Sequence, residues 1–554
     1  MPTSAESAAQ SVAEMNALSL HPIDLGIIVV YFTAVLAIGL WIGRNTKGGD
    51  DLFLAGRSLG WVAIGFSLFA SNISSTTLIG LVGDAYDGGL FISNYEWMAT
   101  VVLVFFVLFF VPIFLRSRIS TIPEFLERRF GRKSRRYFSG LTIITNILVD
   151  TAGSLYAGAV VLQLFFPQID MWTTCIVLAL IAGIYTAAGG LAAVVYTDVI
   201  QAVVLILGAC LMTYFVFAHP SINFSWTTLT EGIGDPAKFS VFNPEHRPID
   251  DPRLPWLGTL VGVPILGFYF WVTNQYIVQR VLGARSVDDA RWGALLGGLL
   301  KLPVLFIMVL PGLAFSIIWT SDHPTAAALA KDEVFPYMVT ELLPVGVIGL
   351  VLAGLIAAIM SSIDSTLNSA SALVTLDFIK PRNPDLSEAQ VLKVGRISMA
   401  IIMVLAAFWA PQIAQFDGLF KYIQEMLAYM VPPVTVLFLL GVFWKAGPGH
   451  TALSTLIGGH LVALIMFIGS KGLGDIVPPL WSTPIHFTLV AGVVFAASLV
   501  IYVATSSWGE RKSDEELADL MVQPSTTTHT GLKDYRIQSG LLLGLTAVIV
   551  GMFW

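Results

Sequence analysis

Apolar segments long enough to cross a lipid bilayer recur about fourteen times along this chain, and this recurrence constrains its fold more than any other feature. Hydrophobic residues make up 56% of the 554 residues and charged residues only 12%, which is far from the balance of a soluble domain. A bilayer supplies no water to unpaired backbone groups, so segments of this length must be helices. We therefore predict an all-α membrane protein with about 14 transmembrane helices. The predicted spans cover residues 22–43, 57–84, 89–115, 136–166, 170–188, 193–218, 253–276, 291–320, 342–373, 391–412, 417–442, 450–469, 484–507 and 536–554.

The predicted spans divide into two related halves with additional helices at both ends. If the first span is set aside, the next five and the five after them correspond. Because each half has an odd number of spans, the second half must be inverted in the membrane relative to the first. The predicted organisation is an extracellular or periplasmic N-terminus (1–21), an extra first helix (22–43), a first five-helix repeat (57–218), a second, inverted repeat (253–442), and three or more C-terminal helices (450–554) with a cytoplasmic linker (508–535).

Each half opens with a span that we expect to be interrupted near its middle. In the second span a run of small hydroxyl residues predicts a break near Ser71–Ser75. In the seventh span Gly262, Pro264 and Gly267 predict a break before Tyr269. Paired interrupted helices at matching places in two inverted halves indicate a binding site near the middle of the membrane.

The basic residues predict the orientation of the chain. Between Arg116 and Arg136 there are eight basic residues against Glu124 and Glu127, and loops of this kind face the cytoplasm. With this loop inside, the loop around Arg280–Arg291 is also cytoplasmic and both termini are outside. We therefore expect a multi-pass protein of the cell membrane (inner or plasma membrane) with no nucleic-acid partner and no obligate protein partner.

The ninth span carries a polar stripe that suits a hard cation. Ser361, Asp364, Ser365 and Asn368 lie at positions i, i+3, i+4 and i+7, which places them on one helix face. The hydroxyl of Ser362 can lie beside the carbonyl of the residue four positions earlier. Oxygen ligands without sulfur favour an alkali or alkaline-earth ion. Hydrogen bonding between helices is the alternative for the serines, but a carboxylate inside a membrane needs a cation, a proton or a basic partner.

Further ionisable and amide groups within the spans suit a polyhydroxylated ligand. Glu96, Lys301 and Gln424 together offer hydrogen-bond acceptors and donors, and Asp198 is a second acid within the sixth span. Apolar and stacking walls could come from Asn72, Trp97, Tyr269, Phe270 and Trp271. A buried Glu96–Lys301 ion pair with a purely structural role remains the alternative. The role of Asp150, within the fourth span, stays open between a structural pair and a titrating group.

Several of these motifs resemble those of one transporter family. The chain resembles the sodium–solute symporters, and within them the sodium/glucose and sodium/galactose cotransporters, from about Asp24 to Trp554. Members of this family share the inverted-repeat fold of the leucine transporter. The motifs that carry the resemblance are Ala70–Ser74, Tyr95–Met98, Thr121–Phe125, Ala193–Gln201, Asn274–Arg280 and Tyr422–Gln424.

The resemblance implies a co-transported sodium ion and a sugar site. The sodium site would consist of the carbonyls of Ala70, Ile73 and Ala358 and the hydroxyls of Ser361 and Ser362. A second sodium site would correspond to Asp198, Ser361, Asp364 and Ser365, although Asp364 replaces a usual hydroxyl. The implied sugar contacts are Asn72, Glu96, Lys301 and Gln424, with Thr77 as a further contact.

The sequence departs from the sugar-transporter pattern at three positions near the ligand. The tyrosine of the inner gate falls at Phe270, within the gate segment Tyr269, Phe270 and Trp271. A polar sugar contact falls at Gly267, and a serine position falls at Ala99. These losses keep a hexose as the expected substrate class and leave the individual sugar open.

We therefore expect a symporter, not an enzyme, in which sodium drives uptake of a sugar such as glucose or galactose by alternating access. The alternatives are a sodium-coupled symporter of another small solute, such as myo-inositol or a sialic acid, and a transporter-like membrane sensor. The carboxylate of a sialic acid would need an arginine well inside a span, and the arginines within the predicted ranges all lie in the first six residues of a span. A sensor would need a signalling domain, and the linker 508–535 is too short to form one.

Overall fold

A computed structural model describes residues 20–44, 48–74, 77–165, 168–242, 249, 253–416, 418–472, 478–481, 485–523 and 529–554. The side chains of residues 164, 165 and 181–189 are not part of this description. Most of the predicted N-terminal segment 1–21, position 75 of the predicted break and positions 524–528 of the linker lie outside the described residues.

The described residues form helices, with one isolated bridge between Leu59 and Ala284 and no strand. Eleven helices are long and apolar enough to cross a membrane, and the number rises to thirteen if each of two bent helix pairs is counted as one span. The eleven are Pro22–Gly43, Leu90–Arg116, Arg132–Gln163, Gly190–Ala218, Trp256–Thr273, Val287–Asp322, Val347–Ile379, Glu388–Gln415, Gly449–Lys471, Phe487–Ser506 and Tyr535–Met552. The bent pairs are Trp61–Asn72 with Thr77–Gly88, and Leu419–Met430 with Pro432–Phe443.

The predicted number of about fourteen spans is not confirmed, and the difference lies in the fifth span. Where two separate spans were expected, the range Met171–Ala218 consists of two helices that meet at a non-helical residue, Gly190. Gly190 has φ 65°, a left-handed conformation that glycine adopts without steric cost. Before this kink only Met171–Leu180 is described as an apolar helix, which is too short to count as a span by itself.

Shorter helices and six π-helical segments complete the described chain. The short helices are Gly49–Leu54, Ala55–Arg57, Ile122–Phe130, Trp226–Ile233, Pro236–Phe239, Gln275–Leu282, Lys331–Glu333, Val334–Leu342, Asp514–Leu517, Ala518–Leu520 and Gly531–Lys533. The π-helical segments are Thr77–Leu81, Phe106–Phe110, Asn146–Thr151, Tyr269–Thr273, Leu305–Val309 and Leu373–Ile379. Such segments interrupt the regular i to i−4 hydrogen bonds and often mark functional sites in helices.

The second span breaks where its sequence predicts. Its first helix ends at Asn72, Ile73 leaves the helical region with ψ 77°, and a helix resumes at Thr77 after a bend of 60°. Local polar groups support the break, because the amide of Ser74 donates to the Asn72 carbonyl at 2.8 Å and the Thr77 hydroxyl donates to the same carbonyl at 3.0 Å. Such side-chain bonds compete with helix continuation.

The seventh span does not break at the predicted place. Its helix runs unbroken from Trp256 through Pro264 to Phe268, becomes π-helical, and is interrupted at Asn274 (ψ 123°). One of the glycines predicted to break it, Gly262, serves close packing, because a Cβ there would overlap Thr488 of the thirteenth span, as would a Cβ at Gly258 one turn earlier. The interruption expected at Gly262–Gly267 therefore lies about two turns later along the chain.

The sixth and ninth spans form the centre of the fold, packed against each other along much of their length. The first span packs across both of them. It also caps the ninth span, because the buried carboxylate of Asp24 accepts hydrogen bonds from the amides of Gly346 and Gly349, each at 2.7 Å. These amides would otherwise be unpaired at the helix start. The extra first helix therefore packs on the central spans through one face, with only Asp24, Val35 and Gly39 buried.

Candidate functional site

A polar cavity of about 110 Å³ lies where the interrupted second and seventh spans meet the third, fourth, ninth and eleventh spans. A water molecule needs roughly 10–15 Å³ on this scale, so the cavity holds several waters or one small polar molecule. The lining residues are Ser71, Asn72, Ser74, Thr77, Tyr95, Glu96, Met98, Asp150, Ser154, Val263, Leu266, Gly267, Phe270, Trp271, Tyr276, Ser362, Thr366, Phe420, Ile423, Gln424 and Leu427.

The predicted sugar contacts come together in this cavity. The buried ammonium of Lys301 forms an ion pair with Glu96 and donates a hydrogen bond to the side-chain oxygen of Asn72. Glu96, Asn72, Thr77 and Gln424 line the cavity directly, whereas Lys301 lies behind the first two. The ion pair expected between Glu96 and Lys301 is present. Lys301 contacts one carboxylate, that of Glu96, and one side-chain amide, that of Asn72. Both groups remain at the cavity wall.

Two of the three predicted gate residues face the cavity. Phe270 and Trp271 line it, with their ring centroids 5.1 Å apart. Tyr269 is fully buried elsewhere, with its hydroxyl 3.5 Å from that of Thr145 in the fourth span. Trp97, expected as a wall, donates its indole N–H to Asn94 and is not a lining residue of this cavity.

The positions that depart from the sugar-transporter pattern leave space or apolar surface. Gly267 lines the cavity, and a Cβ placed there would lie 3.5 Å from Val102. Ala99 is buried and does not line the cavity.

The oxygens of the predicted sodium site lie on both sides of the interface between the second and ninth spans. Ser362 donates to the Ala358 carbonyl at 2.9 Å and also lines the cavity. Ser361 donates to Asp198 at 2.6 Å, which keeps its oxygen lone pairs available. Within the described residues no amide donates to the carbonyls of Ala70 or Ile73, because Ser74 and Thr77 bond to other oxygens. Unpaired carbonyls beside hydroxyls fit a hard cation such as sodium.

The predicted second sodium site contains a residue that the sequence argument missed. The guanidinium of Arg280 has no exposed surface, lies 3.1 Å from Asp198, and donates to the hydroxyls of Ser71 and Ser365. Ser67 adds a hydrogen bond to Asp198 at 2.5 Å. Asp198 is therefore paired with an arginine and is not a bare carboxylate.

The expectation that Arg280 lies in a cytoplasmic loop is wrong. The residue lies in the helix Gln275–Leu282, every residue of which is buried. This helix follows the interruption at Asn274 and packs against the first part of the second span. The proximity of Arg280 in sequence to Arg285 and Arg291 suggested a basic loop. The apolar run Tyr276–Val278, followed by Val281 and Leu282, was the signal for a buried segment instead.

Two further polar residues of the ninth span are buried. Asp364 has no exposed surface, and both Asp364 and Asp198 lie close enough to Tyr31 of the first span to interact with it electrostatically. Asn368 is also buried, and its amide makes no hydrogen bond within the described residues. The structure thus brings Asp198, Ser361 and Ser365 into one network with Arg280.

Comparisons with known proteins agree with this architecture. The profile of the sodium:solute symporter family matches residues 52–459. The chain is 36% identical to a sodium/glucose cotransporter of Vibrio parahaemolyticus, over 80% of this chain and 85% of the relative. It is 33% identical to sodium/glucose cotransporter 1 of Oryctolagus cuniculus, over 90% and 82% of the two chains.

A solved structure has the same fold. A sodium-coupled sialic acid symporter in a substrate-bound outward-open state superposes with a TM-score of 0.77 and 22% sequence identity. The similarity covers 89% of this chain and 99% of that one. At this level of identity the likeness concerns the fold alone.

We expect Arg280→Ala to destabilise the protein by about 3–5 kcal/mol, because it leaves the buried carboxylate of Asp198 without a partner. The double variant Arg280→Ala/Asp198→Asn should recover most of this loss. Thermal unfolding of the detergent-purified protein measures both effects. Arg285→Ala is the matched control, since that side chain is 62% exposed and its partner Asp289 keeps hydrogen bonds from the Trp61 amide and the Ser286 hydroxyl, so the loss should stay under ~1 kcal/mol. A double variant as unstable as Arg280→Ala would contradict this account.

Proposed function

The chain belongs to the sodium:solute symporter family, and on that premise we propose that it is a sodium-coupled symporter that takes up a sugar, with a hexose such as glucose or galactose as the substrate class. Curated relatives that cover most of the chain are sodium/glucose cotransporters. As a multi-pass membrane protein of this family, it moves its substrate by alternating access and makes or breaks no covalent bond.

One observation carries the coupling between ion and sugar. The sugar contact Asn72 and the ion ligand Ile73 are consecutive residues at the break of the second span. Ser362, from the proposed sodium site, lines the same cavity as Asn72 and Glu96. A cation that bridges Ala70 and Ile73 to the ninth span would therefore hold the break in one conformation, and with it the side chain of Asn72.

The proposed sodium ligands are Ala70, Ile73, Ala358, Ser361 and Ser362. Binding there favours whichever arrangement of the second and ninth spans brings these oxygens together, and the sugar then binds a site that is already ordered. An ion moved inward across ~100 mV contributes ~2.3 kcal/mol. A tenfold sodium gradient adds ~1.4 kcal/mol. One ion per sugar could therefore sustain an accumulation of several hundredfold.

A second sodium at Asp198, Ser361, Asp364 and Ser365 is compatible with this mechanism only after Arg280 leaves Asp198. In the present arrangement the guanidinium already neutralises that carboxylate and occupies the hydroxyls of Ser71 and Ser365. We therefore propose one sodium per sugar for the conformation described here, with Arg280 in the role of a fixed cation at the second position.

Two of the alternatives, a sialic acid as substrate and a role as a sensor, are disfavoured. A sialic acid would need a cationic partner for its carboxylate. The buried Arg280 is engaged with Asp198 and does not line the cavity. A sensor role is disfavoured because the described part of the linker 508–535 contains only the short helices Asp514–Leu517, Ala518–Leu520 and Gly531–Lys533.

Uptake of radiolabelled glucose into proteoliposomes tests the proposal. We expect accumulation only when an inward sodium gradient is imposed, and none with an equal potassium gradient. Competition by unlabelled galactose, myo-inositol and a sialic acid then identifies the substrate class, with the hexose expected to compete best. Glucose uptake that does not depend on the sodium gradient would contradict the proposal, as would a non-sugar that competes far better than any hexose.

We expect Ser362→Ala to abolish sodium-dependent uptake while the protein stays folded, because it removes one oxygen from the proposed ion shell. The measurement is the initial uptake rate as a function of sodium concentration. Ser371→Ala is the matched control. Ser371 is buried on the same helix and bonds the Gly395 carbonyl at 2.7 Å, away from the cavity. An unchanged sodium dependence in Ser362→Ala would place the ion elsewhere.

We also propose that the basic loop between Arg116 and Arg136 faces the cytoplasm and that both termini face the outside. Single cysteines introduced at Ser4 and at Lys133, in a chain with Cys175 and Cys210 replaced by serine, test this orientation. A membrane-impermeant maleimide applied to intact cells should label the first position and not the second. The reverse labelling pattern would mean that the orientation is opposite to the one proposed.

A further inference from the structure

The cavity contains a carboxylate that none of the roles above uses. Asp150 lies in the π-helical segment Asn146–Thr151 of the fourth span and lines the cavity. Its Oδ2 atom is buried and has no hydrogen-bond partner within the described residues. Buried polar atoms are nearly always paired in proteins, and an unpaired carboxylate oxygen is especially costly. An oxygen of this kind at the wall of a polar cavity indicates that the cavity's occupant supplies the missing donor.

Tyr276 engages Asp150 from across the cavity wall, and its hydroxyl interacts with the carboxylate. Tyr276 follows the interruption of the seventh span, and its ring packs edge-on against Phe270 at 5.8 Å. Phe270 stands where the sugar-transporter pattern has a tyrosine, so its ring offers no hydroxyl to the cavity. Tyr276 and Asp150 therefore provide the polar groups beside this aromatic surface, and Tyr276 orients one carboxylate oxygen while the other stays free.

The charges around the cavity are not balanced. Its described lining contains two acids, Glu96 and Asp150, and no basic residue. Lys301 lies behind the wall and pairs with Glu96. Asp150 consequently has no cationic partner there, and the cavity carries an uncompensated acidic group. Such a group accepts hydrogen bonds from neutral hydroxyls and repels an anion brought close to it.

We propose that Asp150 is a direct substrate contact that sets specificity: its free oxygen accepts a hydrogen bond from a hydroxyl of the sugar, and its charge excludes acidic sugars. Tyr276 is a positioning residue for this carboxylate. The inference rests on the proposed function as a sugar symporter and deepens it, because it names neutral hydroxylated sugars as the substrate class and uronic and sialic acids as the excluded class.

Competition experiments in proteoliposomes test this contact. With labelled glucose as substrate, the wild-type protein should bind glucuronate at least about tenfold more weakly than glucose. One member of a set of monodeoxyglucoses should also bind at least about tenfold more weakly than glucose, because a lost hydrogen bond to a charged group has an effect of this size. In Asp150→Asn the apparent KM for glucose should rise, and the ratio between the affinities for glucose and glucuronate should fall at least threefold. In Asp150→Ala the deoxy analogue that lost affinity should bind as well as glucose does.

Two further variants separate a contact from a general effect on folding. Tyr276→Phe keeps the charge of Asp150, so it should raise the KM for glucose and preserve the discrimination against glucuronate. Asp170→Asn makes the same chemical change at an exposed helix cap and should behave as the wild type. The wild-type competition series does not depend on any variant being folded.

The possible failures are distinguishable. Wild-type protein that takes up no sugar under a sodium gradient overturns the proposed function and this inference with it. Normal wild-type uptake, with glucuronate competing as well as glucose or with discrimination unchanged in Asp150→Asn, overturns the role of Asp150 alone.

Discussion

The buried pair between Arg280 and Asp198 is the interaction on which the rest of the site depends. The guanidinium joins four elements: the second span through Ser67 and Ser71, the sixth through Asp198, the ninth through Ser365, and its own helix through the Tyr276 carbonyl. Removing either partner would leave an uncompensated charge in a medium that cannot solvate it. The pair thus sets the relative position of both halves of the fold at the level of the ion ligands.

This position has a consequence for the ion sites. The first proposed site would use the carbonyls of Ala70 and Ile73, to which no described amide donates at the break of the second span. The second would use hydroxyls and a carboxylate that the arginine already satisfies. In this arrangement the guanidinium of Arg280 therefore occupies the position of the proposed second sodium ion. On this proposal, the number of ions carried depends on whether Arg280 moves during the transport cycle.

Departures from regular α-helix place the side chains of the cavity. Thr77, Asp150 and the pair Phe270 and Trp271 each lie in a different π-helical segment. A π-helical turn shifts the helix face by part of a turn relative to the residues before it. Polar groups on otherwise lipid-compatible helices can in this way face an internal cavity, while the rest of each span keeps its apolar surface toward lipid or neighbouring helices.

The sequence by itself determined the class of the protein, the approximate spans and the residue types of the site. Span length and apolar composition require helices in a bilayer, and the i, i+3, i+4 spacing of Ser361, Asp364 and Ser365 requires one helix face. The break after Asn72 was also readable, because clustered hydroxyls compete locally with the helix. The grouping of Asn72, Glu96 and Lys301 followed from their residue types and a resemblance. Each of these inferences depends on local chemistry or on the bilayer as solvent.

Only the tertiary structure decided which groups pair and where helices end. Pro264 and its neighbouring glycines suggested a break, yet Gly262 accommodates Thr488 of a span more than 200 positions later in the chain, and the helix continues to the Tyr269–Thr273 segment. Arg280 looked like part of a basic loop, and contacts with residues of three other spans show that it is buried. The position of the Tyr269 side chain, the free oxygen of Asp150 and the kink at Gly190 also belong to this class. All depend on contacts between distant segments, which no local pattern encodes.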